Sequence, residues 1–350
     1  MHNFRKILFS ATILGLLLAI ACTKLGPVPD FQYSYDFKPS LPDIDIATLT
    51  AETINIAGGS VNAANYTNFS TSIANPATAS NYAAAVNSAF TAGQQTYWSG
   101  QTQASILALL QAGDANATAQ VASARSSFQS NGILTGLVAT VTPAAGNLIS
   151  NSGRISSSSN SSSQKSLFTF AQFFLVQDQE LEDCRQAAIQ AFNTAQTVID
   201  DLIAQQLADI QTQYNNQSPL PEAQRSDLES AAQTRHNTRL SDYLSIYNTA
   251  ASNISTLFGA GDITAGERDL LENLNLATYA VFVDASITLL NAEISLINTL
   301  IAQANTNLAT TRDALTTQAN FNYTNELNRL TLLRDATISK CHNQGGTNVS

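Results

Sequence analysis

The chain has 350 residues, 26 acidic side chains against 16 basic ones, and a formal net charge of −10. Only 12% of residues are charged, about half the usual share, with Ala, Ser, Thr, Asn and Gln filling the difference. An acidic chain with dispersed charges offers no electrostatic footprint for nucleic acid and little attraction for anionic lipid, so nucleic-acid binding is set aside.

The N-terminus reads Met1-His2-Asn3-Phe4-Arg5-Lys6, followed by an apolar run from Ile7 to Ala21. A short basic segment, an apolar stretch and small residues before a cleavage position form the pattern of a secretory signal. The run falls short of the roughly 20 apolar residues that a bilayer-spanning helix needs. No other stretch comes near that length, so no further spanning helix is expected.

Leu18-Ala19-Ile20-Ala21-Cys22 resembles the lipobox of bacterial lipoprotein precursors, in which a small residue precedes the cysteine that is lipidated and becomes the first residue. Leu18 stands four places before the cysteine, where the commonest form has its leucine at three. The resemblance implies 1–21 as signal peptide, palmitate-type acyl chains on Cys22 and attachment to a membrane. Two or more such chains make a stable anchor, at about 0.8 kcal/mol per buried methylene. The other reading is an ordinary signal cut after Ala21, with Cys22 an incidental thiol. Thr23 is not the Asp that marks inner-membrane retention in the best-known lipoproteins, which favours the outer membrane and leaves its face open. Loss of Arg5 and Lys6 with the signal brings the net charge to −12.

Residues 22–62 contain Pro27, Pro29, Pro39 and Pro42 with Gly26, too many breakers for a helix. An extended tether is expected there, with an edge strand at Phe31-Gln32-Tyr33-Ser34-Tyr35. Residues 63–153 read as a small, irregular helical region. Asn75-Pro76 opens one helix through Tyr82, Val86 and Phe90, and a second runs from Gln101 to Leu110 and stops at Gly113. Asp114 caps a third reaching Phe128. Within this region the apolar stretch 132–149, with Ile133, Leu134, Leu137, Val138 and Val141, reads first as core. A hairpin or a membrane-touching segment are the alternatives. Residues 154–166, nearly all Ser and Asn, have no apolar surface to bury and read as a linker.

Residues 167–341 carry the clearest pattern. Leu181, Ala188, Phe192, Ala195, Ile199, Leu202 and Ile210 keep one helical face to about Tyr214. Ser218-Pro219-Leu220-Pro221-Glu222 is a stop and restart, Ser as cap and proline in the first turn. A second helix runs through Leu240, Leu244, Tyr247, Ala251, Ile254 and Phe258 and ends at Gly259-Ala260-Gly261. Thr264 with Glu267 fits a capping box for a third. There Leu276, Ala280, Val283, Ile287, Leu290, Ile294, Ile297, Ile301, Ala304, Leu308, Thr311 and Leu315 recur at alternating spacings of four and three, a heptad-type seam. Asn320–Asn325 is a plausible break before Ile338, and 342–350 reads as a disordered tail. The expected fold is all-α: long antiparallel helices in an elongated bundle with coiled-coil-like packing, preceded by the irregular helices and the tether.

Besides Cys22, the exported part holds Cys184 and Cys341, which permit one disulfide in an oxidising compartment. At 1.5 Å per residue, Cys184 lies about 25 Å from the start of the first long helix and Cys341 about 115 Å from the start of an unbroken third. On that count a bond requires the third helix to reverse near Asn305 or the bundle to bend, so finding it would argue against a straight third helix.

Catalytic signals are sparse. Only His236 and His342 lie beyond the signal, so zinc-protease ligand sets are absent, and Cys341-His342 stands alone. Gly259-Ala260-Gly261-Asp262-Ile263-Thr264 lacks the third glycine of a dinucleotide loop, and no nucleophile elbow or phosphate loop occurs. No cofactor, catalytic residue or metal set is therefore assigned. Asp178, Glu180, Glu182 and Asp183 form the densest acidic group and read as a solvated face near a helix start. Asp43-Ile44-Asp45 lacks the glycine and terminal glutamate of a calcium loop. Tyr97-Trp98 reads as core.

These readings point to a membrane-anchored, extracytoplasmic, non-enzymatic scaffold or protein-interaction module, its partners other proteins or itself. The alternative is a channel or pore. Cys22 followed by Gly26-Pro27 and Pro29, with Leu257–Thr264 opening a very long helix, resembles lipidated outer-membrane efflux channels, and the 132–149 stretch offers an insertion tongue for a helical pore former.

Overall fold

The computed structural model describes Tyr35, residues 37–150 and residues 181–342, with the side chains of 181–183 and His342 excluded. The signal peptide, Cys22, the Ser-rich linker and the C-terminal tail lie outside the described residues, as do Asp178 and Glu180.

The described chain is mostly helical, with long helices and two small two-stranded sheets. Its elements are β1 (Thr53–Ala57), β2 (Ser60–Asn62), α1 (Ala64–Ser72), α2 (Pro76–Ala89), α3 (Ala92–Ser99), α4 (Gln103–Gln111), α5 (Ala115–Ser130), β3 (Thr140–Thr142), β4 (Ala145–Ile149), α6 (Leu181–Gln217), α7 (Leu220–Ala223), α8 (Arg225–Ala260) and α9 (Ala265–His342). They form two compact units, each discontinuous in sequence. One comprises residues 1–48, 155–213 and 311–350, the other residues 49–154 and 214–310.

In the first unit α6 runs antiparallel to the last part of α9. Cys184 is bonded to Cys341, with Cα atoms 6.0 Å apart, the Arg334 guanidinium lies 4.7 Å from the centre of the Phe192 ring, and the Tyr323 hydroxyl donates to Asp200 at 2.7 Å. Phe37, Phe192, Ala195, Ile199 and Leu330 form a small core. The disulfide thus coexists with an α9 that is one helix to His342, and Asn320–Asn325 does not break it. The expectation that a straight helix keeps these cysteines apart is corrected. It measured each cysteine from its own helix start, whereas antiparallel pairing sets the first turns of α6 beside the last turns of α9.

The extended segment is not free over its described part. The Tyr35 hydroxyl contacts the Cys184 carbonyl at 3.3 Å and its Sγ at 3.0 Å. An extended chain without a strand partner needs its backbone polar groups satisfied by side chains. Here the Ser40 N–H donates to Glu326 at 2.8 Å, Arg329 donates to the Lys38 carbonyl at 2.6 Å and Gln206 donates to the Pro42 carbonyl at 2.8 Å. The expected tether over 22–62 is therefore docked chain from Tyr35 onward. The expected strand at 31–35 lies outside the described residues except for Tyr35, which is not in a strand.

In the second unit β1 pairs antiparallel with β4 and β2 with β3, so residues 53–62 lie beside 140–149. This departs from an all-α fold, and it divides the 132–149 stretch. Leu134 and Leu137 are core, while Val141 and Ile149 sit on exposed strand positions. Helices α1–α5 are inserted between β2 and β3, and their ends have local causes. Asn75 accepts the Thr78 N–H ahead of Pro76, Thr91 and Gln94 form a capping box, and Asp114 accepts the Ala117 N–H at 2.8 Å. The stop at 218–222 forms, but Pro219 occupies the cap with no side-chain bond, so Ser218 is not the cap. Gly261, at φ +80°, ends α8 in the left-handed turn that glycine tolerates, and Thr264 and Glu267 exchange the bonds of a capping box.

Helix α8 runs antiparallel to the first part of α9: Arg235 reaches Glu293, Tyr243 packs on Phe282 and Asn275 donates to the Tyr247 carbonyl. The core spreads from this pair into α1–α5. Tyr66 stacks on Phe282 with ring centres 5.2 Å apart and donates to Asn275 at 3.0 Å. Trp98, Val121 and Phe128 are fully buried within the same core. Helix α9 is long and apolar enough to cross a membrane by length and composition, a test that the core helix of a soluble protein also passes. Half of that apolar window is buried inside the protein.

Candidate functional site

The densest polar cluster in the second unit forms where the β1–β2 turn meets α8 and α9. On α8, Arg235, His236 and Arg239 stand at i, i+1 and i+4. On α9, Ser286 and Glu293 stand seven apart, about two turns and on one face. Gly58 and Gly59 close the cluster from the turn.

Glu293 is fully buried. It accepts from Arg235 at 2.7 Å and from the Gly59 N–H at 3.1 Å, and Arg239 lies 3.9 Å away. A buried carboxylate persists only when paired and hydrogen-bonded, and this one has both. Arg239 donates its Nε–H to the Ser286 hydroxyl at 2.9 Å and an Nη1–H to the Gly59 carbonyl at 3.4 Å. Both polar groups of the Gly59 peptide flanks are thereby read by charged side chains. A Cβ on Gly59 would come within 2.5 Å of Leu289 Cδ1 and 2.6 Å of the Thr142 carbonyl oxygen. Only glycine allows the turn this close to α9.

His236 Nδ1 lies 2.9 Å from the Ser286 hydroxyl, the pairing of a base with a nucleophile. Burial argues against that role: Ser286 is fully buried and His236 is 3% exposed, and the Ser286 oxygen, which also accepts from Arg239, serves to join the two helices. Burial lowers the His236 pKa below its ordinary value, and nearby Arg239 lowers it further against the opposing influence of Ser286 and Glu293. Next to the imidazole, burial pushes the Tyr243 hydroxyl up to about 12. The cluster fastens a turn to a helix pair; it has no reacting group in reach of solvent.

The residues singled out in the sequence are dispersed. Cys184 and Cys341 form the disulfide of the first unit. The side chains of Glu182, Asp183 and His342 lie outside the described ones. Asp45 accepts the Ala47 N–H and shapes a short turn. Trp98 is 1% exposed and meets Tyr97 edge-on. No group of three or more metal-ligating side chains occurs among the described residues. Sequence reasoning missed the Glu293 cluster, although a signal existed: Glu293 is a carboxylate set between Leu289 and Ile297 on an apolar stripe, and Arg235-His236 with Arg239 is a compact basic group on α8.

Outside the cluster, α8 presents a shallow open groove lined by Ser241, Leu244, Ser245, Asn248, Thr249, Ser252 and Asn253. These positions recur at three and four, one stripe of small, uncharged polar side chains with a single leucine.

No protein-family model matches the chain, and neither the curated proteins nor the solved structures give a match.

Proposed function

We propose that this chain is a lipoprotein of the bacterial outer membrane, anchored through acyl chains on Cys22, whose helical body is a non-enzymatic scaffold for protein partners or for itself. The observation that carries the scaffold reading is the contrast between the Glu293 cluster and the α8 groove. The groups with chemical potential are spent inside, holding turn to helix, and the open stripe of α8 offers small hydrogen-bonding side chains suited to close approach by another protein surface. The alternating four-and-three seam of α9 supports coiled-coil-like packing, with Leu276, Ala280, Val283, Ile297, Ile301, Ala304 and Leu308 all buried.

Two measurements test this. Cells expressing the chain are fed a labelled fatty acid; label is expected in the wild type and absent from Cys22→Ser, and an unlabelled wild type ends the anchor. A photo-crosslinking residue at Ser245 or Ser252 is expected to give one discrete adduct in the envelope, and uniform non-reaction there counts against the groove. Hydrolytic turnover abolished by Ser286→Ala would overturn the scaffold itself.

A further inference from the structure

Among the exposed large apolar side chains of the described residues, Leu332, 71% exposed, and Phe321, 61% exposed, are the two most open. They stand eleven residues apart on α9, about three helical turns, and so lie on one line of the helix within the first unit. Asn325, Asn328, Ala336 and Ser339 continue that line, all exposed and none charged. The nearest charges are Arg329, paired with Glu326, Arg334, paired with Asp335, and the exposed Lys340.

The first unit also fixes where the anchored end of the chain enters. Tyr35 sits on Cys184, within 3.9 Å of the Cys341 sulfur. Phe37 is packed with Phe192 and Leu330. Tyr35 stands thirteen positions after Cys22, a reach of at most about 45 Å at full extension. Leu332 is nine residues from Cys341 along α9, about 14 Å, and Phe321 twenty, about 30 Å. An acyl anchor on Cys22 therefore lies within reach of both residues of the line.

We propose that the α9 face bearing Phe321 and Leu332 rests on the bilayer that holds the acyl chains, a second, apolar contact beside the lipid anchor. This rests on lipidation of Cys22. The acyl chains supply the stable anchor; two uncovered apolar side chains on one line of α9 add a contact that sets which face of the first unit meets the bilayer.

The test uses the full lipidated chain in phosphatidylcholine vesicles containing bromine-labelled lipid. Leu332→Trp is compared with Asn193→Trp on the exposed face of α6, above the background of buried Trp98. Quenching at position 332, with none at 193, is the expected result. Equal quenching at both positions, or none at 332 while the protein sediments with vesicles, overturns the proposed face. Shielding of position 332 in detergent that rises with protein concentration, and is lost in Phe321→Ser/Leu332→Ser, identifies a second copy as the occupant and overturns the bilayer. Acyl content of Cys22 is measured on the same sample: a chain without lipid overturns the anchor and this contact together, whereas a lipidated chain with no quenching at 332 overturns only the contact.

Discussion

The second unit is closed by burial, the first by fastening. In the second, aromatic and aliphatic side chains from α1–α5, α8 and α9 share one core, and the Glu293 cluster adds a polar lock. The first has a core of Phe37, Phe192, Ala195, Ile199 and Leu330, supplemented by a disulfide and by Gln206, Glu326 and Arg329 gripping the backbone of residues 38–42. Small cores rarely supply enough hydrophobic stabilisation alone, and cross-links supplement them. The same long helix serves both arrangements, because what lies beside each stretch of α9 differs.

The sharpest attempt to break this contrast is Glu293→Ala. It strips the buried partner from Arg239, 11% exposed, and from Arg235, 33% exposed, and is expected to cost about 3 kcal/mol, the low end for a broken buried pair because Arg235 keeps some water. Urea denaturation with hydrogen exchange on α8 reads the loss; unchanged α8 protection would mean that the turn is held by packing alone. Next in size is Cys341→Ser. Opening a disulfide between residues 157 apart in sequence is expected to remove about 2–4 kcal/mol. Exchange should quicken in α6 and the last turns of α9, with little change in α8, and a uniform change over both units would erase the distinction drawn here.

The smallest effect concerns pH. His236 in the folded chain binds a proton less readily than in the unfolded chain, where its ordinary value is 6.5. The stability it contributes is present above that value and is lost as pH falls below it toward the depressed folded pKa. The melting temperature of the wild type is expected to drop more between pH 7 and pH 5 than that of His236→Asn. Identical slopes would show that the imidazole is not the sensor.

Much of the helical outline was legible. Asn75-Pro76, Asp114, Gly261 and the Thr264–Glu267 box each act through bonds between neighbours, which a local pattern records. Of the α9 seam, Ile297, Ile301, Ala304 and Leu308 are buried at spacings of four and three, whereas residues 273–283 are buried on every side and Ile287, Leu290 and Ile294 only half-buried. The strands were harder. Ile54 and Ile56 alternate as a strand should, but the partner segment lies beyond five intervening helices, and prolines upstream had suggested a tether. The docking of residues 37–42 left no periodic trace, since its contacts run from backbone groups to Gln206, Glu326 and Arg329, residues that on a helix surface look merely solvated. Glu293 broke its own stripe, and only the turn that approaches through Gly59 explains why a carboxylate belongs there.

The pairing of Asn62 with Thr140 has a consequence for how this protein can vary. Opposed strand residues stand about 4.5–5.5 Å apart, so the five-helix excursion leaves and rejoins the chain at almost one point. Its ends are set for exchange, but its contents are not: Tyr66, Phe69, Trp98, Val121 and Phe128 share one core with α8 and α9, so a replacement with adjacent termini must also rebuild that core.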